Sequence, residues 1–89
     1  MFKLEASNQY IEDYIKLAKN NTKLQKRIYK ALQLLESNPF HNSLRTHKVK
    51  NSFSSWVEGD VRIIWEYSEQ KEIILLLMIG RHTGSLKVY

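Results

Sequence analysis

The chain contains no cysteine, which removes a disulfide framework, a thiolate zinc site and a cysteine nucleophile at once. Glycine is scarce, three in 89 residues, so no glycine loop is available to cradle a phosphate. The longest apolar stretch, residues 73–79, is far too short to cross a bilayer, and no membrane partner is expected. Met1 is followed by Lys3 and Glu5 rather than by an apolar run, so no signal peptide is expected and a cytoplasmic location is. The histidines His41, His47 and His82 are scattered, and no two share a helical face at ligand spacing. Neither a metal nor another cofactor is therefore expected. No repeat, low-complexity tract or linker interrupts the sequence.

Acidic residues are also scarce over a long stretch. Between positions 16 and 50 the chain places nine cations (Lys16, Lys19, Lys23, Lys26, Arg27, Lys30, Arg45, Lys48, Lys50) against one acid, Glu36. That local excess of eight positive charges, against +5 for the whole chain, favours an anionic partner such as nucleic acid or an acidic protein. A solvated helix face would also carry many lysines, and that plainer reading applies best to the cations between positions 16 and 30. Hydrophobic residues make up 43% of the chain, enough for one compact core, so residues 1–89 are read as a single domain.

Periodicity gives the coarse architecture. Phe2, Leu4 and Ala6 alternate with Lys3 and Glu5, as in a short strand. Ser7 or Asn8 then caps a helix whose apolar face is Tyr10, Ile11, Tyr14, Leu17 and Ala18. Asn20-Asn21 reads as a turn. A second helix is predicted from Thr22, with Gln25 completing a capping box, and Leu24, Ile28, Ala31, Leu32 and Leu35 recur at helical spacing. Ser37-Asn38-Pro39 ends it. Residues 44–50 look extended, and residues 52–58 alternate, with Phe53, Ser55 and Val57 on one face. Residues 62–67 put Ile63, Trp65 and Tyr67 together, with Arg62, Ile64 and Glu66 opposite. Residues 72–79 read as a central strand buried on both faces. Turn signals fall at Asn51-Ser52, at Gly59-Asp60 and over residues 68–71, and residues 81–89 could form a loop with a short edge strand. The order β-α-α-β-β-β implies an α+β fold: a helical hairpin on one face of a mainly antiparallel sheet.

In such a domain the sheet face without helices is the natural place for chemistry. Polar groups come from His47-Lys48-Val49-Lys50, from Glu58-Gly59-Asp60, from Arg62, and from Arg81-His82 with terminal Tyr89. Together they supply acids, bases, cations and a ring, the set needed to cleave RNA through its own 2′-hydroxyl. That reaction takes a base for the 2′-OH proton, an acid for the leaving 5′-oxygen and cations for charge on the phosphorane. Each group also has a plainer role, as a turn residue, a surface ion pair or a core cap, and spacing alone does not bring them together.

The order of these segments resembles the RelE/ParE superfamily of toxins. Asp60-Val61-Arg62-Ile63-Ile64-Trp65-Glu66-Tyr67, Gly80-Arg81-His82 and Val88-Tyr89 are similar to its C-terminal half. Leu44-Arg45-Thr46-His47-Lys48-Val49 is similar to the "L-x-x-H-K-L" stretch of its YafQ-like mRNA-cleaving branch. Leu35-Glu36-Ser37-Asn38-Pro39-Phe40-His41 resembles the family's "L-x-x-x-P-F-H" stretch. The resemblance implies the toxin of a type II toxin–antitoxin module: a metal-independent endoribonuclease that cuts mRNA, commonly on the ribosome, and is neutralised by a cognate antitoxin. It implies Arg62 as a phosphate contact, His82 as general acid, Asp60 as a base group, His47 as a second histidine, Arg81 as a further phosphate contact and Tyr89 as the terminal aromatic. Arg45, Lys48 and Lys50 would add to RNA binding. The chain departs from the family pattern in placing Arg81 where Thr or Ser is usual, in a longer interval between His82 and Tyr89, and in Trp56 near another family histidine. Two other readings stay open on the same scaffold: a ParE-like DNA gyrase inhibitor and an inactive interaction protein.

Overall fold

In the computed structural model, residues 1–82 are described. They form β1 (Lys3–Ala6), α1 (Asn8–Ala18), α2 (Thr22–Ser37), a 3₁₀ turn (Asn42–Leu44), β2 (His47–Val49), β3 (Ser52–Glu58), β4 (Val61–Tyr67) and β5 (Ile73–Arg81). The strands lie in the order β1-β5-β4-β3-β2, with β1 parallel to β5 and every other pair antiparallel. The α+β architecture is the expected one, with one strand more than the predicted order. Only three residues of the stretch 44–50 pair as a strand, because Leu44 closes the 3₁₀ turn and Arg45 adopts a left-handed φ of 47°.

Ser7 is the N-cap of α1, its hydroxyl accepting from Tyr10 N at 3.0 Å. The same hydroxyl donates to Leu77 O at 2.8 Å, on the part of β5 that β1 does not cover. Asp13 takes the nearby Ile79 N–H at 3.3 Å, so α1 protects a strand edge as well as covering the core. Ile11, expected on the apolar face, is 47% exposed, since the buried stripe runs through Tyr10, Tyr14, Leu17 and Ala18. The cap of α2 is Asn21, whose side chain accepts from Leu24 N. Gln25 forms no capping box and donates instead to Ala18 O, joining the two helices at their turn.

Both helices cover one face of the sheet, α1 mainly over β5 and α2 over β3. Leu24, Ile28, Ala31 and Leu35 of α2 meet Val57, Val61, Ile63, Trp65, Ile74, Leu76 and Ile79 there. Each such buried aliphatic side chain contributes about 1.5–3 kcal/mol. Phe53 stacks on its cross-strand partner Trp65, centroids 4.7 Å apart, and Tyr67 meets Trp65 edge-on at 5.1 Å. The middle strand is β4, not β5. Ile74, Leu76 and Ile79 of β5 enter the core, while Ile73 and Leu75 on its other face are only half-buried. This second, helix-free face carries the side chains of interest.

Candidate nucleic-acid interface

Strand pairing fixes which residues share the helix-free face. Trp56 pairs with Arg62, and Arg62 with Gly80. The neighbouring row is His47, Ser54, Ile64 and Met78. Paired residues point to the same side, so Arg62, Trp56 and His47 are co-facial, and Gly80 puts no side chain beside Arg62. Arg62 is half-buried and, among the described residues, makes no side-chain hydrogen bond or ion pair. Its five N–H donors are therefore available to an external anion. His82 lies two residues beyond Gly80, and its backbone N–H donates to Asp60 O at 2.7 Å, continuing the ladder. By alternation its exposed ring rises on the same face as Arg62.

The turn joining β3 to β4 organises the rest. Gly59 has φ +49°, and nothing lies within 4 Å of the position a Cβ would take, so glycine is used there for its backbone rather than for space. Asp60 Oδ1 accepts from Arg81 Nη1 at 2.9 Å, and Gly59 O accepts from Trp56 Nε1 at 2.8 Å. The Trp56 ring in turn carries the Arg45 guanidinium, 4.5 Å from its centroid. One turn thus ties together Arg81, His82, Trp56 and, through Trp56, Arg45.

Not every residue singled out in the sequence joins this group. Asp60, Arg62, His82, Arg45 and, through its ion pair with Asp60, Arg81 do. His47 shares the face but stands two strands from β4, roughly 10 Å across the sheet, with Nδ1 3.2 Å from Arg45 O. Arg81 pairs with Val61 in the ladder, the opposite alternation to Arg62, and its guanidinium goes to Asp60. Lys48 pairs with Phe53, in the row of Trp65, and so projects at the sheet edge away from Arg62. Lys50 sits at the β2–β3 turn with φ 54°. Glu58 is turned by the irregularity between Trp56 and Glu58 to pair with Val61, and it meets Arg27 of α2 at 3.8 Å. Tyr89 lies outside the described residues. No group of three or more metal-ligating side chains comes together among the described residues. The residue that sequence reasoning passed over as a contributor is Trp56. Its signal was present: a large aromatic three positions before the turn glycine.

Solved structures share this fold. A metal-bound toxin from Helicobacter pylori superposes with a TM-score of 0.78 at 22% identity, over 96% of this chain and 99% of that one. The chain carries the RelE/ParE toxin fold. YafQ in the E. coli DinJ-YafQ complex matches at TM-score 0.74 and 21% identity, over 96% and 98% of the two chains. In the YoeB-YefM complex from Staphylococcus aureus the match is 0.73 and 21%, over 92% and 98%. No family model and no curated protein matches the sequence. On this fold Arg62 lies on the helix-free face with a tryptophan directly across from it, and Arg45 is stacked on that tryptophan.

Proposed function

We infer that this protein is the toxin of a toxin–antitoxin pair and that it cleaves mRNA by transesterification. The observation that carries this reading is Arg62, a half-buried guanidinium without a partner among the described residues, co-facial with His82 and opposite a glycine. A phosphodiester seated on Arg62 would place its non-bridging oxygens against fixed N–H donors where charge develops. The Asp60 carboxylate or a histidine removes the 2′-OH proton, the 2′-oxygen attacks phosphorus, and His82 protonates the departing 5′-oxygen. The products are a 2′,3′-cyclic phosphate and a free 5′-hydroxyl, so atoms balance with no metal or other cofactor. His47 and Tyr89 are the further candidates by family resemblance, and Arg81 supports the site through Asp60. Lys48 and Lys50 serve RNA held along the β2 edge. The partners on this reading are an acidic antitoxin and mRNA on the ribosome, in the cytoplasm. The DinJ-YafQ and YoeB-YefM complexes, both on this fold, support the antitoxin.

The test is induction of the chain without an antitoxin, with 5′ ends of transcripts mapped across the transcriptome. New 5′-hydroxyl ends within translated messages are expected, and Arg62→Ala is expected to abolish them, lowering the cleavage rate by at least about 100-fold, while the purified variant keeps its melting temperature. Growth arrest with intact transcripts and double-strand DNA breaks would assign the gyrase-inhibitor reading instead. Harmless expression of the folded chain would end both.

A further inference from the structure

We propose that Trp56, with Arg45 seated on its ring, is a nucleobase-binding platform for the nucleotide next to the phosphate held by Arg62. The proposal rests on the RNA reading above and adds a subsite to it.

Three observations converge on it. First, Trp56 and Arg62 are direct cross-strand partners on the helix-free face, so their Cβ atoms lie roughly 5 Å apart. A phosphate on Arg62 therefore brings the adjoining base within reach of the indole and the guanidinium stacked on it. Second, the platform is built in advance. The indole N–H is fixed on Gly59 O at 2.8 Å, which sets the ring's orientation, and Arg45 lies over the ring at 4.5 Å while its outer side is exposed. Aromatic faces and guanidinium planes both stack bases, and a ring-bound guanidinium presents a flat cationic surface at little entropic cost. Third, Arg45 occupies a left-handed backbone position, φ 47°, which a non-glycine residue adopts only under strain. A glycine would relieve that strain and lose the guanidinium. Packing within the fold does not call for an arginine there, since the side chain is exposed, whereas a stacked base does.

Binding to the full chain of a short single-stranded RNA, 2′-O-methylated throughout so that it is not cut, tests the platform. The probe is compared with the same oligonucleotide carrying one abasic position at each site in turn. One abasic position should weaken binding about tenfold, and Trp56→Ala should weaken binding of the intact probe by a similar factor. Trp56→Phe, which keeps a stacking ring without the N–H, should retain most of the affinity, and Arg45→Gly should lose affinity with no fall in melting temperature. Trp65 is fully buried, so fluorescence quenching on RNA binding should report Trp56 and vanish in Trp56→Phe. The salt dependence of affinity should be unchanged in Trp56→Ala and shallower in Arg62→Ala, since only the latter removes a phosphate contact. Equal affinity for intact and abasic probes, or equal loss in Trp56→Phe and Trp56→Ala, would overturn the platform while leaving the RNA reading standing. No binding of RNA by the unaltered chain would overturn both.

Discussion

Ser55 is a fully buried polar residue inside a strand, and its hydroxyl lies at the middle of a relay that joins two parts of the fold. Thr46 Oγ1 donates its single proton to Pro39 O at 2.6 Å, so the 2.7 Å contact between Thr46 and Ser55 must use the Ser55 proton. Ser55 Oγ then accepts from buried Trp65 Nε1 at 2.8 Å. Alternation in the sequence placed Ser55 on the core face, but not its partners, which come from 9 and 10 residues away. Ser55→Ala would leave a buried indole N–H without an acceptor, at a cost of about 1–3 kcal/mol. Urea unfolding should show a lower midpoint with an unchanged slope, and an unshifted midpoint would mean that the relay contributes nothing. Tyr10 presents the opposite case. Its hydroxyl is buried without a hydrogen-bond partner among the described residues, and burial, with the neighbouring Tyr14 phenol adding to it, pushes its pKa well above the usual value near 10. The folded chain therefore keeps the proton above pH 10, where the unfolded chain gives it up. Stability is complete below pH 10 and falls as pH rises beyond it. Thermal melting of Tyr10→Phe should lack that part of the alkaline decline, and a parallel decline in both proteins would refute the assignment to Tyr10.

Among the elements, the hairpin of β3 and β4 decides the site. A two-residue turn at Gly59-Asp60 pairs Glu58 with Val61, and unbroken pairing would then set Val57 against Arg62 and Trp56 against Ile63. The core-facing residues are odd-numbered in both strands (Phe53, Ser55 and Val57; Val61, Ile63 and Trp65), so an unbroken ladder would turn one set away from the core. The chain resolves this with a one-residue irregularity between Trp56 and Glu58, after which Trp56 meets Arg62 and Ser55 meets Ile63. The strands, their core faces and the turn were all legible in the sequence. Their mutual register was not, because it follows from a conflict between turn length and alternation rather than from either alone. A similar shift between Ile64 and Trp65 on the β5 side places Leu76 rather than Leu77 against Trp65. Gly59→Ala should cost about 1 kcal/mol from the left-handed φ alone, since a methyl group meets no atom within 4 Å. Of the two helix caps, Ser7→Ala should cost more than the ~1 kcal/mol expected of Asn21→Ala, because Ser7 also holds Leu77 O. Chemical denaturation of the three variants gives the ranking, and equal losses in the two cap variants would show that the strand contact adds nothing.

At the scale of the whole molecule, charge and face are separate. The layers could be read from segment order, and Arg62, Asp60 and His82 could be singled out one by one as candidates, but spacing alone did not bring those three together. The Arg45–Trp56 stack could not be read, because it needs a left-handed residue and a shifted ladder that no spacing rule exposes. All nine cations between positions 16 and 50 are exposed, and Lys23, Lys26 and Lys30 lie on α2, on the far side of the sheet from Arg62. They cannot hold the same phosphate as Arg62, so their contribution to a polyanionic partner is long-range attraction. Such attraction accelerates encounter and is screened within about 10 Å at 0.1 M salt, whereas direct phosphate contacts set how long a complex lasts. The triple variant Lys23→Gln, Lys26→Gln, Lys30→Gln should therefore bind single-stranded RNA with a slower association rate at about 0.05 M salt. Its dissociation rate should be nearly that of the unaltered protein, and the difference in association should disappear near 0.5 M. Each exposed substitution should change stability by less than about 0.5 kcal/mol, so the effect is separable from folding. Stopped-flow mixing at several salt concentrations measures both rates. A faster dissociation with unchanged association would place these lysines in direct contact with the nucleic acid and move the interface onto α2.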